Sequence, residues 1–152
     1  MKFTFKIPKN GKRIYVTDEH ICNGHWIVRK DAPMYHPELK KTFGPYVCLK
    51  TGVYEALQPC PNVTVPDVKR VIPIRADLKQ AKLTERVKLR DGTCPEIAAL
   101  ILQSEDGTES HISAAYAGLL QLGTPYIKDA LSPILIVDGN DEMAAVVMPI
   151  RL

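Results

Sequence analysis

Residues Ser132 to Leu152 read SPILIVDGNDEMAAVVMPIRL, and the rest of the chain is best understood from this stretch. Apolar residues alternate along Ile134 to Val137 and again along Val146 to Ile150, which favours β-strands over a helix. Between the two runs, Asp138 to Asn140 offers residues that readily adopt the positive φ of a tight turn. The sequence therefore predicts a β-hairpin whose second strand runs to Leu152.

The closing run from Met148 to Leu152 is apolar except for Arg151. Domains commonly end in a charged or flexible tail, so an apolar terminal strand is expected to be tied down. We expect these last residues either to pack against the domain or to line a groove.

The length of 152 residues allows one domain or two very small ones, with enough chain for a hydrophobic core. Apolar residues make up 45% and charged residues 24%, which is typical of a soluble globular protein. The N-terminal segment Met1 to Asn10 is basic and alternating and lacks the apolar core of a secretory signal. These features predict a cytoplasmic protein.

The charges are distributed unevenly along the chain, although the net charge is only +3. Residues 1 to 90 hold 18 Lys or Arg against 8 Asp or Glu, whereas residues 91 to 152 hold 2 against 9. A separation of this size can create a positive surface that attracts phosphate. The alternative is that the fold intermixes the two halves, and charge alone leaves both interpretations open.

No metal, cofactor or catalytic site is predicted. The four cysteines have no C-x-x-C spacing, so reduced structural thiols are expected (Cys22, Cys48, Cys60 and Cys94). His20, Cys22 and His25 offer two or three metal ligands without a visible fourth, and a metal site is the less favoured interpretation. The chain lacks nucleophile-elbow, Walker, zincin and dinucleotide-binding motifs. Asp138, Asp141 and Glu142 are interpreted as turn residues rather than cation ligands.

Most of the chain shows strand patterns. Predicted strand pairs are Phe3–Ile7 with Arg13–Thr17 and Tyr46–Lys50 with Val53–Leu57, and single strands are expected at 25–28, 96–104 and 125–130. Asp18 to Gly24 is interpreted as a polar interruption, and residues 76–90 leave helix and strand open. Apolar spacing of three and four predicts a helix from about Ser113, with Gly123 at its C′ position.

The proline-rich connector 58–66 divides a basic β-rich segment, residues 1–60, from a second domain, residues 61–152.

Three stretches resemble the bacterial DNA polymerase III β subunit, the sliding clamp. VPDVKRVIP at 65–73 resembles the entry into the third domain of that family, ISAAYAGLLQLG at 112–123 resembles a helix, and DALSPILIVDGNDEMAAVVMPIRL at 129–152 resembles its last strands. A fourth and weaker match, GHWI at 24–27, is similar to a G-H-R-L element in the second domain. The resemblance implies an α+β, sliding-clamp-like (DNA clamp) domain that is mostly antiparallel sheet with one clear helix.

In this family the matching segments surround an apolar cleft that binds short linear peptides of polymerases and other clients. The resemblance therefore implies a peptide-binding cleft made by Gly24, His25, Trp26, Ile27, Pro66, Arg70, Val71, Val146, Met148, Pro149, Ile150, Arg151 and Leu152. Met and aliphatic side chains suit such a role because they form an adaptable apolar surface.

The expected function is that of a non-catalytic, sliding-clamp-like protein of DNA replication. Its expected partners are replication proteins that carry clamp-binding peptides, namely DNA polymerase and the clamp loader. A bacterial clamp subunit has three domains, whereas this chain has material for one and a fragment. Two mechanisms stay open. In the first, several copies of the chain associate and track double-stranded DNA as a small processivity factor. In the second, the chain is a phage or mobile-element adaptor or decoy that keeps the peptide cleft but does not encircle DNA. A metal-dependent hydrolase or nuclease is the alternative from another class.

Overall fold

The computed structural model describes residues 13–17, 19–31, 44–50, 53–56, 68–88 and 98–150. These residues divide into two compact units, an N-terminal unit up to Arg70 and a C-terminal unit from Val71 onward. Residue 60, where the sequence suggested a boundary, lies outside the described residues, and so does the predicted strand Phe3–Ile7.

The N-terminal unit contains a five-stranded antiparallel sheet with the order β5-β4-β1-β2-β3. Its apolar core includes Ile14, Ile21 and Trp26, all of which are buried. The hairpin predicted near residues 46–57 is present as β4 and β5. The strands are β1 (Arg13–Val16), β2 (His20–Cys22), β3 (Trp26–Arg29), β4 (Gly44–Lys50) and β5 (Val53–Ala56).

Strand β2 lies where the sequence predicted only a polar interruption, so that prediction is wrong. Two tight turns make the strand possible. Thr17 Oγ1 accepts a hydrogen bond from the His20 backbone N–H at 3.1 Å, and Asn23 Oδ1 accepts from the His25 and Trp26 N–H groups at 2.9 and 3.1 Å. The polar residues therefore make the turns, and three residues between them are enough for a strand.

The C-terminal unit contains six antiparallel strands in the order β11-β10-β9-β6-β7-β8. The backbone N–H of Ile150 also donates to the His111 carbonyl of β8 at 2.8 Å. The segment after β11 is thus attached to the strand at the other end of this order. The strands are β6 (Lys79–Lys88), β7 (Ala99–Ser104), β8 (Glu109–Ser113), β9 (Thr124–Ile127), β10 (Ile134–Val137) and β11 (Met143–Val147).

The predicted terminal hairpin is present as β10 and β11, which pair from Ile134 with Val147 to Val137 with Met143. Its second strand covers Met143–Val147, so the prediction that this strand continues past Val147 is wrong for Met148 to Ile150. Asp138 Oδ1 accepts from the N–H groups of Asn140 and Glu142 at 2.9 and 3.1 Å, which closes the turn. The positive φ of 66° belongs to Asp141, which lies just beyond the residues predicted to supply it.

The helix predicted from Ser113 to Gly123 is shorter than expected and of another type. Ile112 and Ser113 belong to β8, where they pair with Leu100 and Ala99, and a 3-10 helix follows at Ala117–Leu122. Gly123 has an extended φ of 169° and not the left-handed conformation of a helix C′ residue. Pairing with β7 overrides the local helical spacing, because the same apolar residues can be buried by a sheet.

The other described helical segments are also short 3-10 helices, at Val68–Val71 and Arg75–Asp77. The second of them occupies the start of the 76–90 stretch, and the long strand β6 takes up most of the remainder. The described part of the chain is therefore mostly antiparallel sheet with few helices, which is consistent with the predicted α+β class.

Candidate functional site

The Gly24–Ile27 element lies in the N-terminal unit, at the turn between β2 and β3. Gly24 has a φ of 91°, and both Gly24 and His25 are exposed. The side chains of Trp26 and Ile27 are buried in the core of this unit. Among the four residues of this element, only Gly24 and His25 are therefore accessible to a ligand.

In the second predicted stretch, residues 65–73, the site residues that the structure describes are accessible to solvent. Arg70 and Val71 are both exposed, in the 3-10 helix Val68–Val71, and Pro66 lies outside the described residues. Ile74, three residues after Val71, is also exposed, although the sequence did not mark it as a site residue.

The third stretch changes from core to surface at the end of β11. Val146 is only 2% exposed and belongs to the core, whereas Met148 is 40% exposed. Pro149 and Ile150 are half-buried, and the Ile150 N–H is held by the His111 carbonyl. Arg151 and Leu152 lie outside the described residues. Met148 is thus exposed between two residues whose backbones are held in place. Val147 belongs to β11, and Ile150 is hydrogen-bonded to β8.

Leu131 adds a residue that the sequence did not assign to the cleft. It lies in the loop from β9 to β10 and is 62% exposed. Asp129 Oδ1 shapes this loop by accepting from the N–H groups of Leu131 and Ser132 at 2.9 and 2.7 Å, and these bonds lower the pKa of Asp129. Because Ile134 pairs with Val147, Leu131 and Met148 lie beyond the same end of the hairpin. We call Leu131, Met148, Pro149 and Ile150 the tail surface.

The charges of the two sequence halves meet in the C-terminal unit. Arg75 pairs with Asp141, Lys79 with Asp106 and Arg86 with Glu109, so each pair joins a basic residue before position 90 to an acidic one after it. The Arg75 guanidinium also lies 5.0 Å from the centroid of the Tyr126 ring. The two sequence halves are therefore intermixed at Arg75, Lys79 and Arg86, each of which has a carboxylate partner.

A cavity of about 700 Å³, lined by polar and charged residues, lies beside β6 and β7, and no sequence motif marked it. At one end, Asp106 accepts hydrogen bonds from the Lys79 ammonium, the Ser104 hydroxyl and the Thr108 N–H, which together hold its pKa well below the usual range. The lining residues are Lys79, Gln80, Lys82, Thr84, Gln103, Ser104, Glu105 and Asp106.

The histidine and cysteine residues near β2 differ in exposure. His20 and Cys22 are buried and His25 is exposed. Burial raises the pKa of the Cys22 thiol to about 11, and Cys22 is in no disulfide. Within the part of the chain that the structure describes, no group of three or more His, Cys, Asp or Glu side chains is placed to hold a metal ion.

Among the described residues, no helix is long and apolar enough to cross a membrane.

His111 lies in β8, where it pairs with Ile101, and its backbone carbonyl accepts a hydrogen bond from the Ile150 N–H. Its backbone therefore anchors the tail surface, a contribution that no sequence motif indicates.

Comparisons with family models, with curated proteins and with solved structures found no match to this chain. The sliding-clamp resemblance therefore depends on the sequence stretches quoted for it, and the tail surface is defined by geometry alone.

Proposed function

We propose that this chain is a non-catalytic, sliding-clamp-like protein of DNA replication that acts in the cytoplasm and binds client peptides at its tail surface. The supporting observation is the presentation of Met148. Its side chain is exposed, while the residues on either side are fixed by β11 and by the hydrogen bond from Ile150 to β8. An apolar side chain held in this way loses little conformational entropy when a peptide covers it.

Leu131 supports the same proposal because it supplies a second exposed apolar side chain at the same end of the hairpin. Met is adaptable in shape, and proline at 149 keeps the backbone rigid. Two exposed apolar side chains at one end of a hairpin are the kind of contact that a short linear peptide can make.

Of the two mechanisms, the adaptor of a phage or mobile element that does not encircle DNA is favoured. Arg75, Lys79 and Arg86 each form an ion pair with a carboxylate. The positive charge of these three side chains is therefore less able to attract DNA phosphates. A small processivity factor requires double-stranded DNA binding that weakens steeply as salt rises. It also requires a ring-sized oligomer, which sedimentation of the purified protein would detect.

The test of the tail surface uses a fluorescent pentapeptide with the clamp-binding sequence of a bacterial replicative polymerase. We expect saturable binding at micromolar concentration, measured by fluorescence anisotropy. Met148→Ser should weaken binding about tenfold, because it removes most of a partly buried apolar contact. Removal of residues 148–152 should abolish binding.

The matched control is Val87→Ser, which changes another apolar residue of similar exposure, 46% against 40%, on a different strand. This variant should bind the pentapeptide as the wild type does. Equal affinity of the wild type and Met148→Ser, or no saturable binding by the wild type, would exclude the tail surface as the peptide site. A divalent-metal-dependent nuclease or hydrolase activity of the purified protein would contradict the non-catalytic assignment.

A further inference from the structure

The turn between β2 and β3 contains the dipeptide Asn23–Gly24. The backbone nitrogen of a glycine that follows an asparagine can attack the side-chain amide carbon of that asparagine, because no Cβ hinders the approach. Gly24 is exposed, with a φ of 91°, and a Cβ placed on it would meet nothing within 4 Å. The nucleophile of this reaction is therefore unhindered and open to water.

The oxygen of the Asn23 side-chain amide lies where negative charge is stabilised. Asn23 Oδ1 accepts hydrogen bonds from the backbone N–H groups of His25 and Trp26 at 2.9 and 3.1 Å. Attack on the amide carbon converts this oxygen into an oxyanion, and hydrogen bonds to a charged acceptor are roughly twice as strong as those to a neutral one. The two donors therefore stabilise the tetrahedral intermediate more than they stabilise the starting amide.

The attacking nitrogen and the leaving nitrogen are both weakly held. Among the residues that the structure describes, none accepts a hydrogen bond from the Asn23 Nδ2 group, and Asn23 is half-buried beside the exposed Gly24. Burial raises the pKa of the Cys22 thiol to about 11, and the Gly24 N–H, which donates to this sulfur, lowers it by a smaller amount. Cys22 is therefore a neutral thiol near pH 7, and a neutral thiol is only a weak acceptor for the Gly24 N–H.

Two other turns among the described residues place an acidic residue before glycine, and neither offers an equivalent electrophile. Asp106, before Gly107, accepts hydrogen bonds that hold its pKa well below the usual range. Asp138, before Gly139, accepts hydrogen bonds from two backbone N–H groups. An ionised carboxylate resists attack by a nitrogen nucleophile, whereas the amide of Asn23 is neutral. The described turns therefore differ in reactivity, and the Asn23–Gly24 turn is the reactive one.

We propose that Asn23 is a site of spontaneous deamidation in the folded chain and that the β2–β3 turn promotes the reaction. Hydroxide removes the Gly24 N–H proton, and the nitrogen forms a bond to Asn23 Cγ. The bond from Cγ to Nδ2 then breaks, and the nitrogen leaves with the electron pair, takes up a proton and departs as ammonia. The cyclic succinimide that remains is opened by water at either of its two carbonyl groups, which gives aspartate or isoaspartate at position 23.

The two products differ in their effect on the turn. An aspartate carboxylate can accept the same two N–H groups as Asn23 Oδ1 does, so the turn is kept. In isoaspartate the main chain passes through the former side chain and is longer by one methylene group, which disturbs the register of Cys22 with Ile27. Because Cys22, Trp26 and Ile27 are buried, isoaspartate should destabilise the N-terminal unit. This inference does not depend on the proposed function.

The test follows deamidation of the full chain, folded and in guanidinium chloride, by peptide mapping with mass spectrometry. Replacement of the amide nitrogen by oxygen gives a small mass increase, and an isoaspartyl methyltransferase labels the isoaspartate. We expect Asn23 to react about fivefold faster in the folded chain than in denaturant, because the two N–H groups act on the oxyanion only when the turn is formed. The sequence Asn10–Gly11, outside the described residues, gives the intrinsic rate of the same dipeptide in denaturant.

Asn140 is the internal control, because the side chain of Asp141 hinders attack by the nitrogen that follows it. Asn140 should stay intact while Asn23 reacts. Asn23→Asp should unfold at the same urea concentration as the wild type, whereas the isoaspartate fraction should unfold at a lower one. The proposal is overturned if Asn23 stays intact in the folded chain, or if it reacts no faster there than in denaturant.

Discussion

Gly123 illustrates how one residue can be required for a reason other than its φ. A Cβ placed on Gly123 would lie 2.0 Å from the carbonyl oxygen of Val137 and 2.6 Å from its carbonyl carbon. These are backbone atoms of β10 and cannot move aside as a flexible side chain would. The absence of a side chain at position 123 therefore permits the approach of the chain to the terminal hairpin.

We predict that Gly123→Ala lowers the free energy of unfolding by about 1 to 3 kcal/mol, the usual cost of forcing extra atoms into a packed site. The measurement is equilibrium unfolding in urea. Gly139→Ala is the matched control, because a Cβ there meets nothing within 4 Å. Its effect should stay within about 0.5 kcal/mol, and equal stability of the two variants would contradict the explanation.

At the scale of elements, strands and turns were predicted better than the helix. The terminal hairpin and the β4–β5 hairpin follow from local patterns, because turn residues separate apolar runs. Strand β6 has a bulge between Leu83 and Val87 that no such pattern indicates. It depends on the pairing of these two residues with two specific residues of β7, which only the assembled sheet specifies.

The bulge gives a prediction about Thr84. Thr84→Val keeps the shape of the side chain but removes the hydroxyl that bonds Ile101 and Arg86. We expect a loss of about 1 to 3 kcal/mol in the free energy of unfolding, because the buried residue Ile101 loses a donor to its carbonyl. Thr84→Ser keeps the hydroxyl and should be much less destabilising, as measured by urea unfolding of both variants.

At the scale of the whole molecule, stability depends on pH through His20. Burial lowers the pKa of His20 below its ordinary value of 6.5; nearby Glu19 opposes this shift, and Lys69 and Arg29 favour it. The unfolded chain therefore takes up a proton at a higher pH than the folded chain. The contribution of neutral His20 to the free energy of unfolding is fully present above pH 6.5 and decreases as the pH falls below that value.

We predict that the free energy of unfolding of the wild type decreases between pH 6.5 and 5, and that His20→Leu removes much of this dependence. His25→Gln changes an exposed histidine of the same unit and should keep the wild-type slope. A further loss is expected as the pH falls below about 3.8, because the carboxyl groups of Asp106 and Asp129 take up protons there in the unfolded chain, whereas hydrogen bonds hold their folded pKa values lower. Identical slopes for the wild type and His20→Leu would exclude His20 as the cause.

The residues predicted for the cleft differ in exposure. The sequence prediction names Met148, which is exposed, and Pro149 and Ile150, which are half-buried. It also included Trp26 and Val146, which are buried, and it omitted Leu131, which is the most exposed residue of the tail surface. A motif gives residue identity, but exposure depends on which neighbours cover each side chain.

The sequence by itself determined the terminal hairpin, the predominance of strands and the uneven distribution of charge, because these depend on local turn chemistry, on apolar periodicity and on composition. The tertiary structure decided that Ile112 joins a strand rather than a helix, that basic residues before position 90 pair with acidic residues after it, and that Leu131 and Met148 are exposed beyond the same end of the hairpin. Each of these outcomes depends on contacts between distant residues. The free energy of such contacts exceeds local preference, and no short stretch of sequence contains both partners.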